Sequence, residues 1–185
     1  MQLGSMVDRR IIMRIYTYET SIEDIKNLYN KDKPIIFLAG PTPRPNQSHI
    51  PSWRIKAIEE FKRQNFTGNI IIPEFEKIGV YSKDLPIWEF EGLKVCDVIM
   101  FWIPRTIELI GLTTNQEFGY WMARDRKKIV YGRPDDAYRI EYQDIMWKED
   151  SVDRNMQYIP ICNALKDTIS YSIQRSYFLW TIERE

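Results

Sequence analysis

Three short stretches of the chain bring together side chains able to do chemistry. Thr113-Thr114-Asn115-Gln116-Glu117-Phe118-Gly119 sets two hydroxyls and two carboxamides around a glutamate at what reads as the entry of a helix. With Thr113 or Thr114 as the cap, Glu117 falls in the first turn, where the positive end of the helix dipole keeps a carboxylate ionised. The Thr114 to Glu117 spacing is equally that of a capping box, in which Glu117 only satisfies a backbone N–H. Trp88-Glu89-Phe90-Glu91 offers two acids two residues apart on a helix; they point to different sides, so at most one faces a pocket. Gly40-Pro41-Thr42-Pro43-Arg44 supplies a close backbone approach, a hydroxyl and a guanidinium able to fork onto a carboxylate or phosphate. It is neither a P-loop nor the GxGxxG dinucleotide fingerprint. Together these groups suit a polyhydroxylated or anionic ligand handled by acids.

The elements that must position them alternate between strand and helix. Ile35-Ile36-Phe37-Leu38-Ala39 reads as a buried strand ending at Gly40, and a loop with prolines at 41, 43, 45 and 51 follows it. From Ser52 as N-cap, Trp53, Ala57, Ile58 and Phe61 recur at helical spacing. Asn69 to Ile72 is a second strand, the stretch up to Leu85 is irregular, and a helix opening at Pro86 runs into a strand from Val98 to Ile103. Residues 113–126 form the next helix and Lys128 to Gly132 the fourth core strand. A short strand from Met156 and a helix from Ala164 to about Gln174 follow, and Ile11 to Tyr18 adds an edge strand. This pattern implies right-handed βαβ crossovers, hence an α/β domain with a doubly wound, mostly parallel sheet and helices on both faces. In such sheets ligands bind beyond the carboxyl ends of the strands, where all three stretches lie. Residues 1–34 read as an N-terminal extension and 35–185 as the α/β domain.

Composition narrows the function classes. The 185 residues carry 26 basic and 26 acidic side chains, so no global positive field draws the chain to a nucleic acid polymer or an anionic membrane. The longest apolar run, Val98 to Ile103, is far shorter than the ~20 residues that cross a bilayer. The first ten residues lack the apolar stretch of a secretory signal, which gives the expectation of a cytoplasmic protein. Cys96 and Cys162 share no metal-ligand spacing with the single histidine, His49, and no partner for a nucleophilic histidine is visible beside it. No metal is expected.

Ile36 to Arg44, Ser52-Trp53-Arg54, Trp88-Glu89, Cys96 to Arg105, Gly111 to Gly119 and Tyr131-Gly132-Arg133-Pro134, in this order and spacing, resemble the nucleoside 2-deoxyribosyltransferase-like family over roughly residues 35 to 140. The resemblance implies a flavodoxin-like fold and cleavage of the N-glycosidic bond between a (deoxy)ribose and a nucleobase. Glu117 then corresponds to the family's nucleophile, which attacks the anomeric carbon. Glu89, eight residues before Asp97, corresponds to the acid that handles protons on the base, where the family's transferases carry Asp. Such chemistry needs one carboxylate as nucleophile and a second group to protonate the leaving base, the two roughly 5 Å apart in retaining glycosidases. No cofactor is required.

Thr114 and Asn115 are candidates to bind sugar hydroxyls, with Gly40, Pro41 and Thr42 as the pocket floor. Asp97 reads as a structural acceptor at a strand start. A nucleoside or nucleotide is the implied substrate, a nucleobase or water the acceptor, and a homo-oligomer the implied assembly. Tyr171, Tyr177, Phe178 and Trp180 make the tail aromatic, which core burial explains most simply. Two alternatives stand beside the transferase. One is a nucleoside 5′-monophosphate N-glycosidase, with Arg44, Arg54 and Arg105 holding the phosphate. The other is a nucleotide-binding module on the same fold without turnover.

Overall fold

The computed structural model describes residues 12–30, 32–75, 83–153 and 159–182. The opening residues, most of the irregular stretch before Leu85 and the start of the strand expected from Met156 lie outside the described residues. Five strands form one parallel sheet: β1 (Arg14–Tyr16), β2 (Ile35–Ala39), β3 (Asn69–Ile71), β4 (Val98–Trp102) and β5 (Ile129–Gly132), in the order β1-β3-β2-β4-β5. A parallel bridge from Gly132 to Cys162 is what forms of the further strand expected in the tail.

Apolar runs without alternation make β2 to β5 buried at every residue, because helices cover both faces. Six helices do so: α1 (Ile22–Lys26), α2 (Trp53–Arg63), α3 (Leu85–Val95), α4 (Leu112–Asp125), α5 (Glu141–Asp153) and α6 (Leu165–Ile182). One core cluster joins Phe37, Ile99 and Phe101 of the sheet to side chains of α1, α3, α4 and α5, among them Ile25, Trp88, Phe118 and Trp147. The other joins Leu38, Met100 and Val130 to Trp53 and Phe61 of α2 and to Ile169 and Leu179 of α6. The chain is therefore a three-layer, doubly wound α/β fold.

Connectivity follows from one hand of crossover. The step from β2 back to β3 carries its helix, α2, on one face, whereas the steps in the opposite direction, to β2, β4 and β5, carry α1, α3 and α4 on the other. The order reverses between β2 and β4, so the crevice of the fold opens at their carboxyl ends. Asp97 starts β4 as a structural acceptor: its Oδ2 takes the N–H of Ile35 at 2.6 Å and ties the amino ends of β2 and β4.

Residues 12–30 of the N-terminal stretch are built into this domain. β1 pairs with β3, and Ile25 and Leu28, just beyond β1, are wholly buried. Two helices were not apparent from the sequence, α1 and α5, and α6 runs on to Ile182. Ala137, Ile140 and Trp147 bury α5 and its approach against the sheet, and the Arg126 guanidinium lies 3.8 Å over the Trp147 ring while donating to Trp147 O at 2.9 Å.

α6 presents Thr168, Ser172 and Ser176 inward, all fully buried, and turns Tyr171, Tyr177 and Phe178 outward, contrary to their expected burial in the core. The small inner side chains let the helix lie close to the sheet: a Cβ on Gly132 would stand 2.1 Å from Thr168 Oγ1. Among the described residues no helix is long and apolar enough to cross a membrane.

This close approach is testable. Gly132→Ala should cost about 1–3 kcal/mol in urea denaturation through overpacking. Combined with Thr168→Ala, which removes the clashing atoms, it should cost less than the sum of the two single changes.

Candidate active site

The crevice between β2 and β4 has a floor of backbone. Gly40 ends β2 with φ +151°, and a Cβ there would lie 2.2 Å from Trp102 O and 2.9 Å from Trp53 Cζ2, so the turn closes against β4 only without a side chain. Gly111, at φ +68°, sits against Pro41, whose Cγ would be 2.8 Å from an added Cβ. Trp53 donates its indole N–H to Pro41 O at 3.1 Å. These contacts seat the loops after β2 and β4 side by side.

Arg54 holds this edge from below. It is 1% exposed, reached from the first turn of α2, which Ser52 caps by accepting the Arg54 N–H. Its Nε donates to Leu38 O at 3.0 Å, Nη2 to Gly40 O at 2.9 Å, and Nη1 to Thr42 Oγ1 at 3.1 Å and Glu74 Oε1 at 2.7 Å. Glu74, just after β3, also accepts from Ser52 Oγ at 2.8 Å. Arg54 thus corrects the expectation of a phosphate ligand: its donors are taken up by the loops that it positions.

The two acids arrive from α3 and α4. Gly92 lets α3 press on the Phe37 ring, and the helix turns Glu89 toward the crevice while Glu91 pairs with Lys94 at 3.0 Å. α4 starts earlier than expected, at Leu112, with left-handed Gly111 as the residue before it and no side-chain cap. Neither Thr113 nor Thr114 caps the helix, the capping box does not form, and Glu117 stands in the second turn, beyond the strongest reach of the dipole. Thr114 is buried inside, its Oγ1 close to Gly111. Glu117 is left for the site.

There the carboxyls of Glu89 and Glu117 come close enough that each acts on the other's titration. Burial, and then the negative charge of Glu89, push Glu117 up to about 8. Burial also raises Glu89, against the hydrogen bond from Tyr18, the charge of Arg54 and the hydrogen bond from Glu117, which pull it down. Two carboxyls in one poorly solvated place do not both ionise readily, so the pair holds one proton near neutral pH.

Other expected ligands lie apart from the acids. Arg44 is exposed on its loop. Arg105 is 5% exposed and donates to Arg139 O at 3.0 Å and to Asn115 Oδ1, while Gln143 Nε2 reaches the same Asn115 oxygen at 2.7 Å. Arg105 and Asn115 therefore join α4 to α5. Asn115 and Glu117, two residues apart, leave α4 on different sides. His49 pairs with Glu108 at 3.0 Å and links the loops after β2 and β4 at the surface.

Two members of the site were not foreseen. Glu74 anchors Arg54. Tyr18, just beyond the carboxyl end of β1, donates its phenol to Glu89 Oε1 and packs against Phe75 and Trp88 with centroids 4.9 Å away in each case. Burial first and Glu89 second hold its proton far above the ordinary tyrosine range. The signal for Tyr18 was indirect: once the edge strand is parallel, the residue after it belongs to the functional edge. Behind Tyr18 an open cavity of about 350 Å³ is lined by Thr20, Ile22, Phe75, Leu85 and Trp88 among others; neither acid lines it.

No family model matches the chain, and no curated protein matches it.

Arg54→Met should destabilise the fold by about 3–5 kcal/mol in denaturant titrations, because it leaves Glu74 without its buried partner and two carbonyls without donors. Arg54→Lys should recover little, since one ammonium cannot reach acceptors in four directions.

The acid pair also gives stability a pH dependence of defined sign. Folded Glu117 keeps a proton that the unfolded chain releases near its ordinary value of 4.5, so stability falls as pH rises from about 4.5 to about 8 and levels off above. Thermal unfolding of Glu117→Gln should lack most of this slope and exceed the unsubstituted chain in melting temperature at pH 8.

Proposed function

We propose that the chain cleaves the N-glycosidic bond of a nucleoside, with Glu117 as nucleophile on the anomeric carbon and Glu89 as the group that protonates the departing base. The resulting glycosyl ester is taken by a second nucleobase, which makes the chain a nucleoside deoxyribosyltransferase-like enzyme. The observation that carries this reading is the meeting of two carboxyls, from α3 and α4, at the carboxyl edge of the sheet where strand order reverses. The order of sequence motifs that resembles the deoxyribosyltransferase-like family supports it from a separate direction.

The geometry favours a covalent route. Inverting glycosidases separate their carboxyls by roughly 6.5–9.5 Å to admit a water, whereas retaining ones bring them to about 5 Å. Two carboxyls close enough to act on one another's titration suit the closer spacing. Glu117 forms the C1′–O bond as the C1′–N bond breaks, and the proton on Glu89 passes to the base nitrogen. In the second half, Glu89 takes the proton of the incoming base as its nitrogen displaces Glu117. Thr42 and the backbone of Gly40 and Pro41 border the place where the sugar would lie.

Engagement of the Arg54 guanidinium with protein acceptors takes one of the three arginines out of phosphate binding and so supports a nucleoside over a 5′-monophosphate. Hydrolysis of a monophosphate and turnover-free nucleotide binding remain outcomes of the same assay. The purified chain is incubated with 2′-deoxynucleosides, ribonucleosides and nucleoside 5′-monophosphates, with and without an acceptor base, and products are followed by chromatography. A new nucleoside that appears only with acceptor, and falls by at least 10³-fold in Glu117→Gln, is the expected result. Free base from a monophosphate without acceptor would replace transfer by hydrolysis, and an inert panel would overturn the enzyme reading.

A further inference from the structure

We propose that Tyr18, delivered by edge strand β1, sets which carboxyl of the Glu89–Glu117 pair holds their shared proton, and so keeps the empty site in a resting form that substrate must convert. The proposal rests on reading the pair as the acids of an N-glycosidic reaction, and it adds to that reading a positioning residue from outside the region of family resemblance.

The argument starts from the direction of one hydrogen bond. A phenol donates to a carboxylate more strongly than to a carboxylic acid, so Tyr18 Oη on Glu89 Oε1 favours Glu89 in its ionised form. The ring is pinned between Phe75 and Trp88, which fixes where the hydroxyl points. Among the described residues Glu117 has no phenol donor of its own, and burial together with the charge of Glu89 makes it the more strongly protonated member of the pair. The other charges facing the pair do not select between its members. Arg54 from α2 lowers both carboxyls, and Glu74 after β3 is tied to Arg54.

That arrangement is reversed with respect to the chemistry. Cleavage needs Glu117 as carboxylate and Glu89 as acid. One transfer converts the resting form: the O–H bond of Glu117 breaks, an O–H bond forms on Glu89, and the net charge of the pair stays at one negative. A substrate base whose nitrogen takes the place of the Tyr18 hydroxyl at Glu89 withdraws the bond that held Glu89 ionised, and so drives this transfer when a bond is present to be cleaved. The same proton then leaves with the base. Tyr18 neither gives nor takes a proton.

The test compares the full-length chain with Tyr18→Phe, which keeps the ring and removes the hydroxyl. A second variant carries 3-fluorotyrosine at position 18, which keeps the hydroxyl and makes it a stronger donor. Glutamate carboxyl carbons are labelled with ¹³C and titrated by NMR without substrate; Glu89→Gln and Glu117→Gln identify the two signals. Loss of a hydrogen bond to a charged group should raise the titration of Glu89 by about 1–2 units and lower that of Glu117 as the proton moves across. Fluorotyrosine should shift Glu89 the opposite way. With a nucleoside that is turned over, the acid limb of kcat/KM against pH should rise by a similar amount in Tyr18→Phe.

Unchanged titrations of both carboxyls in both variants would overturn the proposal and reduce Tyr18 to packing, even where Glu117→Gln abolishes turnover. Shifted titrations without cleavage of any nucleoside would support the proton placement and overturn the glycosidic reading instead.

Discussion

The carboxyl edge of this sheet depends on one buried cation. Arg54 is reached from α2, beneath the point where strand order reverses, and its guanidinium binds the last carbonyls of β2, the hydroxyl of Thr42 and the carboxylate after β3. A buried charge is costly unless it is paired and hydrogen-bonded, and here the pairing partners are the loops themselves. The need to satisfy Arg54 therefore fixes where those loops run. Gly40 and Gly111 have no room for a Cβ because the loops they start are drawn down against Trp102 and Pro41. The acids then enter a space whose walls are already set.

Electrostatics at this edge is a balance between that cation and poor solvation. Arg54 alone would favour two ionised carboxylates; burial and their mutual repulsion favour one. The result is a pair in which Glu117 resists ionisation well above the ordinary carboxylate range. On the proposed reading, nucleophile and acid are two states of one pair.

Much of this was legible in the sequence, and the parts that were not have identifiable reasons. The central strands could be read because a parallel strand covered on both faces is an uninterrupted apolar run, as in Ile35 to Ala39. Ser52 could be read as a cap because its hydroxyl does that work. α5 was hidden because its pattern is inverted. It buries Gln143, Trp147 and Ser151 and exposes Tyr142, Ile145 and Val152, so the apolar residues mark the wrong face. The start of α4 was misplaced because Thr-Thr-Asn imitates a cap while the turn is made by Gly111 in a left-handed conformation. Glu89 and Glu117, picked out by the resemblance of the surrounding motifs, stand close to one another at this edge. Arg54 and Arg105 were noticed as charges, but a string of residues does not tell an arginine that faces solvent from one that holds a loop. Tyr18 was missed because its place depends on pairing between strands far apart in sequence.

The position of β1 has a consequence for the order in which this molecule assembles. Among the described residues β1 is the first strand, yet its one neighbour in the sheet is β3, which itself needs β2 beside it. It has three residues, bonded on one side. Loops must close before such non-local contacts form, so this strand docks after the centre of the sheet is in place and detaches before it. Tyr18 travels with it. The environment of the acid pair is thus completed by this edge segment, and a partly unfolded chain that keeps its helices and central strands has already lost the phenol that donates to Glu89.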